Sequence, residues 1–158
     1  MSVETATAVA RSIEVNASPE RAFSVFTTQM ETWWPPEHHI IAGTLAGMHV
    51  ELVPGGRMYD VNTEGAECTW GRVLVCEPPR TFAFAWLIGP DWGVLHPDAP
   101  ASRVTVTFTP LNDGRTQVDL VHDDLDKHGE GWEKMRDGVG APEGWGMTLE
   151  RFAAAVGS

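Results

Sequence analysis

One tyrosine, two cysteines and eleven cationic side chains in 158 residues set the first limits on this chain. Against those 11 Lys and Arg stand 22 Asp and Glu, a formal charge of −11. Such an acidic protein is repelled by nucleic-acid phosphates and anionic lipid surfaces over about a Debye length, so no nucleic-acid partner is expected. Cys68 and Cys76 are eight residues apart in what reads as a single strand. At roughly 3.3 Å per residue they would be about 26 Å apart, beyond the ~7 Å reach of a disulfide. Two isolated thiols fit a reducing compartment. No apolar run approaches the length of a membrane span. The N-terminus carries Glu4 where a secretory leader would be basic. A cytoplasmic protein without a membrane partner is the expectation. His-x-x-x-His and Cys-x-x-Cys spacings are absent, and Gly55-Gly56 lacks the following Lys-Ser/Thr of a phosphate loop. Neither a metal nor another cofactor is expected.

What is present reads as one domain over residues 1–158, with a frayed terminus at 1–7, and is long enough to bury a core without staples. Trp145, Leu149, Phe152 and Val156 recur at helical steps across residues 141–156. That spacing predicts a C-terminal helix with one apolar face. Most of the rest alternates with period two. Val9 to Val15 reads as a first strand, and Ser18-Pro19-Glu20 combines an N-cap, a first-turn proline and a first-turn acid at the head of a helix. After the Trp33-Trp34-Pro35-Pro36 loop come two hairpins, turning at Pro54-Gly55-Gly56 and Pro78-Pro79. Residues 89–102, with three prolines, read as a long connecting loop able to act as a flap. Val104, Val106 and Phe108 define one more strand, Asn112-Asp113-Gly114 a turn, and Val118, Leu120 and His122 the inward face of the last strand. A short helix is expected around 132–137. The order is strand, helix, six strands, helix.

Several of these runs together resemble a known family. They are the Trp33-Trp34-Pro35 loop with its histidines, GGRMYD at 55–60, ECTWGRVLVCEPPRTFAFAW at 67–86, VTVTFTP ending at Pro110, HDDLDKHGEG at 122–131, and Gly144-Trp145-Gly146. From about Val9 to Val156 the chain is similar to bacterial single-domain homologues of the activator of the heat-shock protein 90 ATPase, in the START-like (SRPBCC) superfamily. The resemblance implies an α+β helix-grip fold, START-like or Bet v-like: a curved antiparallel sheet of about seven strands around a long C-terminal helix, with two short helices after the first strand. The superfamily includes lipid carriers, polyketide cyclases and aromatases, hormone receptors and the chaperone activator, so the fold alone fixes no chemistry. The eukaryotic activators carry an additional N-terminal domain that this chain is expected to lack, which counts against chaperone stimulation.

A sheet gripping one helix leaves a wedge, and the expectation is a hollow there. Its candidate ligand-binding residues are Trp33, Trp34, His38, Met58, Trp70, Phe84, Trp86, His122, Trp145 and Leu149. Seven tryptophans against one tyrosine favour wide, flat contact surface, although the same rings equally fill a core. His122 is the candidate acid or base, since it continues the inward parity of its strand and titrates near neutrality; Glu67 and Tyr59 are candidate partners for it. His38 and His39 are adjacent on a loop, where rings diverge. The cluster His122, Asp123, Asp124, Asp126, His128 and Glu130 offers metal ligands by type but reads first as a solvated edge, and Arg57 and Arg72 either anchor a carboxylate or pair with neighbouring acids, the second reading being favoured. Three functions follow in order: a binding module for a small hydrophobic or aromatic molecule; a cyclase or aromatase-like enzyme in which His122 moves protons; and a chaperone-binding partner protein. The chain is expected to be a monomer or a homodimer.

Overall fold

Period-two alternation becomes β-structure throughout the computed structural model, which describes residues 8–34, 41, 43–89, 93, 95 and 99–156. The strands are β1 (Val9–Val15), β2 (Leu45–Val50), β3 (Arg57–Asn62), β4 (Glu67–Glu77), β5 (Thr81–Trp86), β6 (Ser102–Pro110) and β7 (Thr116–Asp123). They form one curved antiparallel sheet in the order β1-β7-β6-β5-β4-β3-β2. Consecutive strands from β2 to β7 are neighbours, and β1 joins the far edge beside β7. On β6 every second residue, Ser102, Val104, Val106 and Phe108, is buried, so one face of the sheet turns to the core and the other to water. Both cysteines lie on β4 as free thiols, and burial pushes each above its ordinary range.

Among the described residues three α-helices pack on or beside that sheet: α1 (Pro19–Thr27), α2 (Trp132–Gly140) and α3 (Met147–Val156). The start of α1 follows its sequence signals. Ser18 Oγ accepts the backbone N–H of Arg21 at 3.2 Å, Pro19 occupies the first position and Glu20 the first turn. Its Phe23 and Phe26 meet Phe108 of β6 at ring-centroid distances of 5.4 and 5.9 Å. Phe26 also contacts Phe152 of α3 edge-on at 5.3 Å. These aromatic contacts tie the two helices to the sheet and to each other. Arg21 Nε donates to the Val156 carbonyl at 3.1 Å, satisfying a backbone acceptor in the last turn of α3. Across the sheet, Arg11 of β1 donates to the Gly140 carbonyl at the end of α2, at 2.7 Å.

The C-terminal helix is shorter than its apolar spacing predicts. Instead of running from 141, the chain makes a π-type turn over Pro142–Gly146, broken at Gly144, and enters α3 at Met147. The reason is close backbone approach: a Cβ on Gly144 would lie 2.2 Å from the Val139 carbonyl oxygen, which no side chain tolerates. Trp145 is nonetheless buried on the same side as Leu149, Phe152 and Val156. The long loop is shorter too, because Ser102 already belongs to β6. Residues 90–92, 94 and 96–98, with much of the expected flap, lie outside the described residues, as do 1–7 and 35–40. After α1 the described residues form a 3₁₀ turn, Met30–Thr32; much of the stretch where a second short helix is implied lies outside the described residues.

The Gly144 geometry generates a test. Gly144→Ala must push the 139–145 backbone apart, and overpacking of this kind costs about 1–3 kcal/mol. Chemical denaturation is expected to show that loss at an unchanged m-value; a variant as stable as the parent would contradict the close approach.

Candidate functional site

Three neighbouring strands each deliver one residue to the same corner of the concave face. Trp86 on β5 is the cross-strand partner of Ser102 on β6, and His122 on β7 is the partner of Val104, two residues further along β6. All three are buried, His122 and Ser102 completely. From the helical side, Trp145 comes down just ahead of α3, and His128 swings in from the 3₁₀ turn Leu125–His128 that follows β7. Their polar atoms form one chain of hydrogen bonds. Trp145 Nε1–H donates to His122 Nδ1 at 3.0 Å. His122 Nε2 meets Ser102 Oγ at 2.7 Å. Ser102 Oγ meets His128 Nε2 at 2.6 Å, and the Ser102 backbone N–H donates to that same nitrogen at 3.0 Å.

An aromatic wall lies against this chain. Trp86 packs against the His122 ring at 5.2 Å and against Trp145 at 5.6 Å. Trp34 reaches Trp70 at 5.1 Å, Trp145 at 5.9 Å and Trp86 at 6.5 Å. Trp70 contacts Phe84 edge-on at 5.8 Å and donates its indole N–H to the buried Asp60 carboxylate at 3.2 Å. Trp33 belongs more to the core: its N–H is taken by the Val25 carbonyl at 2.8 Å, and its ring lies on Phe26 and Phe152. Among the described residues, three buried side-chain polar atoms have no hydrogen-bond partner: Trp86 Nε1, His128 Nδ1 and Asp123 Oδ1.

Burial decides the charge of the histidines. His122 is pushed down to about 3, first by loss of solvent and then by the neighbouring His128; His128 is itself lowered by burial. Both rings are therefore neutral at physiological pH.

Eight of the ten wedge residues read from the sequence, Trp33, Trp34, Met58, Trp70, Phe84, Trp86, Trp145 and Leu149, fall within one buried hydrophobic cluster; His122 is buried against its Trp86 and Trp145 rings, and His38 lies outside the described residues. The described walls of the wedge touch ring to ring. Glu67 and Tyr59 do not serve His122. They occupy the other face of the sheet, where Glu67 pairs with Arg57 at 2.9 Å and the Arg57 guanidinium sits 4.1 Å above the Tyr59 ring. In the acidic run, Asp123 pairs with Arg103 at 3.2 Å and Asp124 with Lys127 at 3.5 Å, while His128 turns inward.

Sequence reasoning missed Ser102 and placed His128 only within an acidic, solvated cluster. Ser102 shares the parity of Val104, Val106 and Phe108, a signal that was available one turn of the pleat earlier. His128 carries no periodic signal, because a 3₁₀ turn sets its direction.

A family model described as Activator of Hsp90 ATPase homolog 1-like protein matches residues 16–157. Among solved structures the chain is similar to Txn09, an anthrahydroquino-gamma-pyrone synthase solved in a complex, at 38% identity over 94% of this chain and 96% of that one, with a TM-score of 0.66. It is also similar to CalC, a self-sacrificing resistance protein from Micromonospora echinospora, at 25% identity over 95% and 94% of the two chains, TM-score 0.63. Protein NE0264 from Nitrosomonas europaea, at 15% identity over 99% and 97% and a TM-score of 0.69, shares the fold. No curated protein matches.

The neutral, buried His122 makes stability depend on pH. Above about pH 6.5 neither the folded nor the unfolded state carries the proton, and stability is fully present. As pH falls from 6.5 toward 3 the unfolded chain takes a proton that the folded chain refuses, which costs up to about 1.4 kcal/mol per pH unit. Between pH 6.5 and 4.5 the protein is expected to lose about 2 kcal/mol more unfolding free energy than His122→Gln, measured by denaturant titration. Parallel losses in the two proteins would contradict a His122 buried in its neutral form.

Proposed function

The chain belongs to the Activator of Hsp90 ATPase homolog 1-like family, and from that premise we propose that it takes a small planar aromatic molecule between its curved sheet and C-terminal helix and closes an oxygen-containing ring on it. The observation that carries this reading is a tryptophan wall beside which two buried nitrogens, Trp86 Nε1 and His128 Nδ1, have no partner. A buried donor left unsatisfied costs about 1–3 kcal/mol. A wall that only filled the core would gain nothing from holding two. For a flat guest bearing oxygens, the same wall offers ring faces for stacking and donors for those oxygens. Trp34 and Trp86, tilted by 41° at 6.5 Å, are the most widely spaced of the ring pairs here. A sandwiched ring needs about 7–8 Å, so small side-chain movements admit one.

The 38% identity to a protein named as an anthrahydroquino-gamma-pyrone synthase supports the ring-closing step. Such a closure is an isomerisation. A phenolic oxygen loses its proton and forms a bond to the far carbon of a conjugated ketone. The π pair of the attacked bond moves through to the ketone oxygen, and a proton returns to the carbon between. Buried N–H groups aimed at that oxygen stabilise the charge that builds there, and the proton passes from the phenol to the carbon through solvent, because both ring nitrogens of His122 are engaged.

A second reading, carriage of the guest without chemistry, has one observation in its favour: both ring nitrogens of His122 are already engaged. Docking to a chaperone has less to stand on, because the large exposed apolar side chains among the described residues, Val53, Leu74 and Val121, are scattered.

Tryptophan quenching by 1,8-dihydroxyanthraquinone is expected to saturate at one molecule per chain. An ortho-hydroxyaryl alkynyl ketone is expected to convert to a γ-pyrone of identical mass, on the order of 10²-fold faster than in buffer or more, and more slowly in a folded His122→Ala. Binding without conversion would select the carrier reading, and no binding would contradict both.

A further inference from the structure

Two donors that cannot reverse their role fix every proton in the Trp145–His122–Ser102–His128 chain. An indole N–H only donates, so the His122 Nδ1 that receives Trp145 is bare. A bare Nδ1 leaves the His122 proton on Nε2, where it faces Ser102 Oγ. A backbone N–H likewise only donates, so the His128 Nε2 that receives the Ser102 amide is also bare. The Ser102 hydroxyl then accepts from His122 and gives its own hydrogen to His128. One arrangement satisfies all four contacts, with the two Ser102 donors sharing the single lone pair of His128 Nε2. It puts the proton of His128 on Nδ1, the atom that is buried and has no partner.

The other unpartnered donor on this wall is close by, because Trp86 is the cross-strand neighbour of Ser102 and lies 5.2 Å, ring to ring, from His122. Asp123 alternates to the opposite side of β7 from His122 and directs one carboxylate oxygen to Arg103. The third unpartnered atom, Asp123 Oδ1, thus belongs to a side chain on the other side of the strand, and the polar atoms left for a guest on the inward side are the two nitrogens, Trp86 Nε1 and His128 Nδ1. This selects a guest by its oxygens: a carbonyl, quinone or phenolate fits, and a plain hydrocarbon leaves both donors unsatisfied.

We infer that His128, with Trp86 beside it, is the polar contact for the guest's acceptor oxygen, and that Trp145, His122 and Ser102 are positioning residues that hold the His128 proton on Nδ1. The inference rests on the reading of the wedge as a ligand site and names the chemistry that site recognises. His122, the histidine most legible from the sequence, has no free ring nitrogen and acts through Ser102.

Two measurements test this. In protein labelled with ¹⁵N-histidine, long-range ¹H–¹⁵N correlations report the tautomer of each ring. His122 is expected as Nε2–H and His128 as Nδ1–H, with Ser102→Ala converting His128 to a mixture; His128 found as Nε2–H in the parent protein would overturn the inference. The second measurement compares 1,8-dihydroxyanthraquinone with anthracene. His128→Gln keeps an acceptor facing Ser102 and removes the donor at the Nδ1 position. It is expected to weaken the dihydroxyanthraquinone about tenfold, the worth of one hydrogen bond, and anthracene less than about twofold. Parental binding with no loss in His128→Gln, or an equal loss for both probes, would overturn the role of His128 while leaving the ligand site standing. Binding of neither probe by the parent would bring down the ligand site and this inference together.

Discussion

The hydrogen bond from the Trp145 indole to His122 Nδ1 is the contact on which the rest of the site depends. It joins the segment that leads into the C-terminal helix to the last strand of the sheet, at a point where both partners are buried. A backbone contact elsewhere could hold helix to sheet equally well. Only this one also fixes the proton of an imidazole, and through Ser102 the proton of a second. Gly144 makes it possible, since any side chain there would collide with the Val139 carbonyl and move Trp145 off its partner. A backbone requirement at one glycine thus sets the direction of a hydrogen-bond chain across three elements.

The balance of forces around that chain is uneven. Its aromatic neighbours are tightly engaged: Trp33, Trp70 and Trp145 each place an indole N–H on a protein acceptor, and the rings meet at ordinary aromatic distances. Trp86 and His128 depart from that rule. Burying a donor without a partner is unfavourable, and both departures lie on the one corner where β5, β6 and β7 bring their inward residues together. Departures from consistent packing concentrate where a protein does something other than fold.

Much of the architecture was legible in the sequence, because one face of each strand is buried and period two is a strong signal. Trp86 and His122 were both found by parity alone. The C-terminal helix was placed correctly on its apolar face yet drawn too long, since spacing reports which side chains share a face and is silent about a backbone collision at Gly144. Ser102 was missed because a serine beside a proline-rich stretch reads as loop, although it continues the inward parity of β6. His128 was illegible in a stronger sense. Its neighbours are acidic and solvated, and a 3₁₀ turn directs it inward, so composition points the wrong way. The family likewise pointed to the fold and left the chemistry open; the unpartnered nitrogens narrow it.

The most direct measurement is a crystal structure of the protein with 1,8-dihydroxyanthraquinone. The account predicts the ring system lying against Trp86, with one oxygen within about 3.2 Å of His128 Nδ1. A guest bound on the outer face of the sheet, or bound in the wedge with its oxygens turned away from both donors, would contradict it.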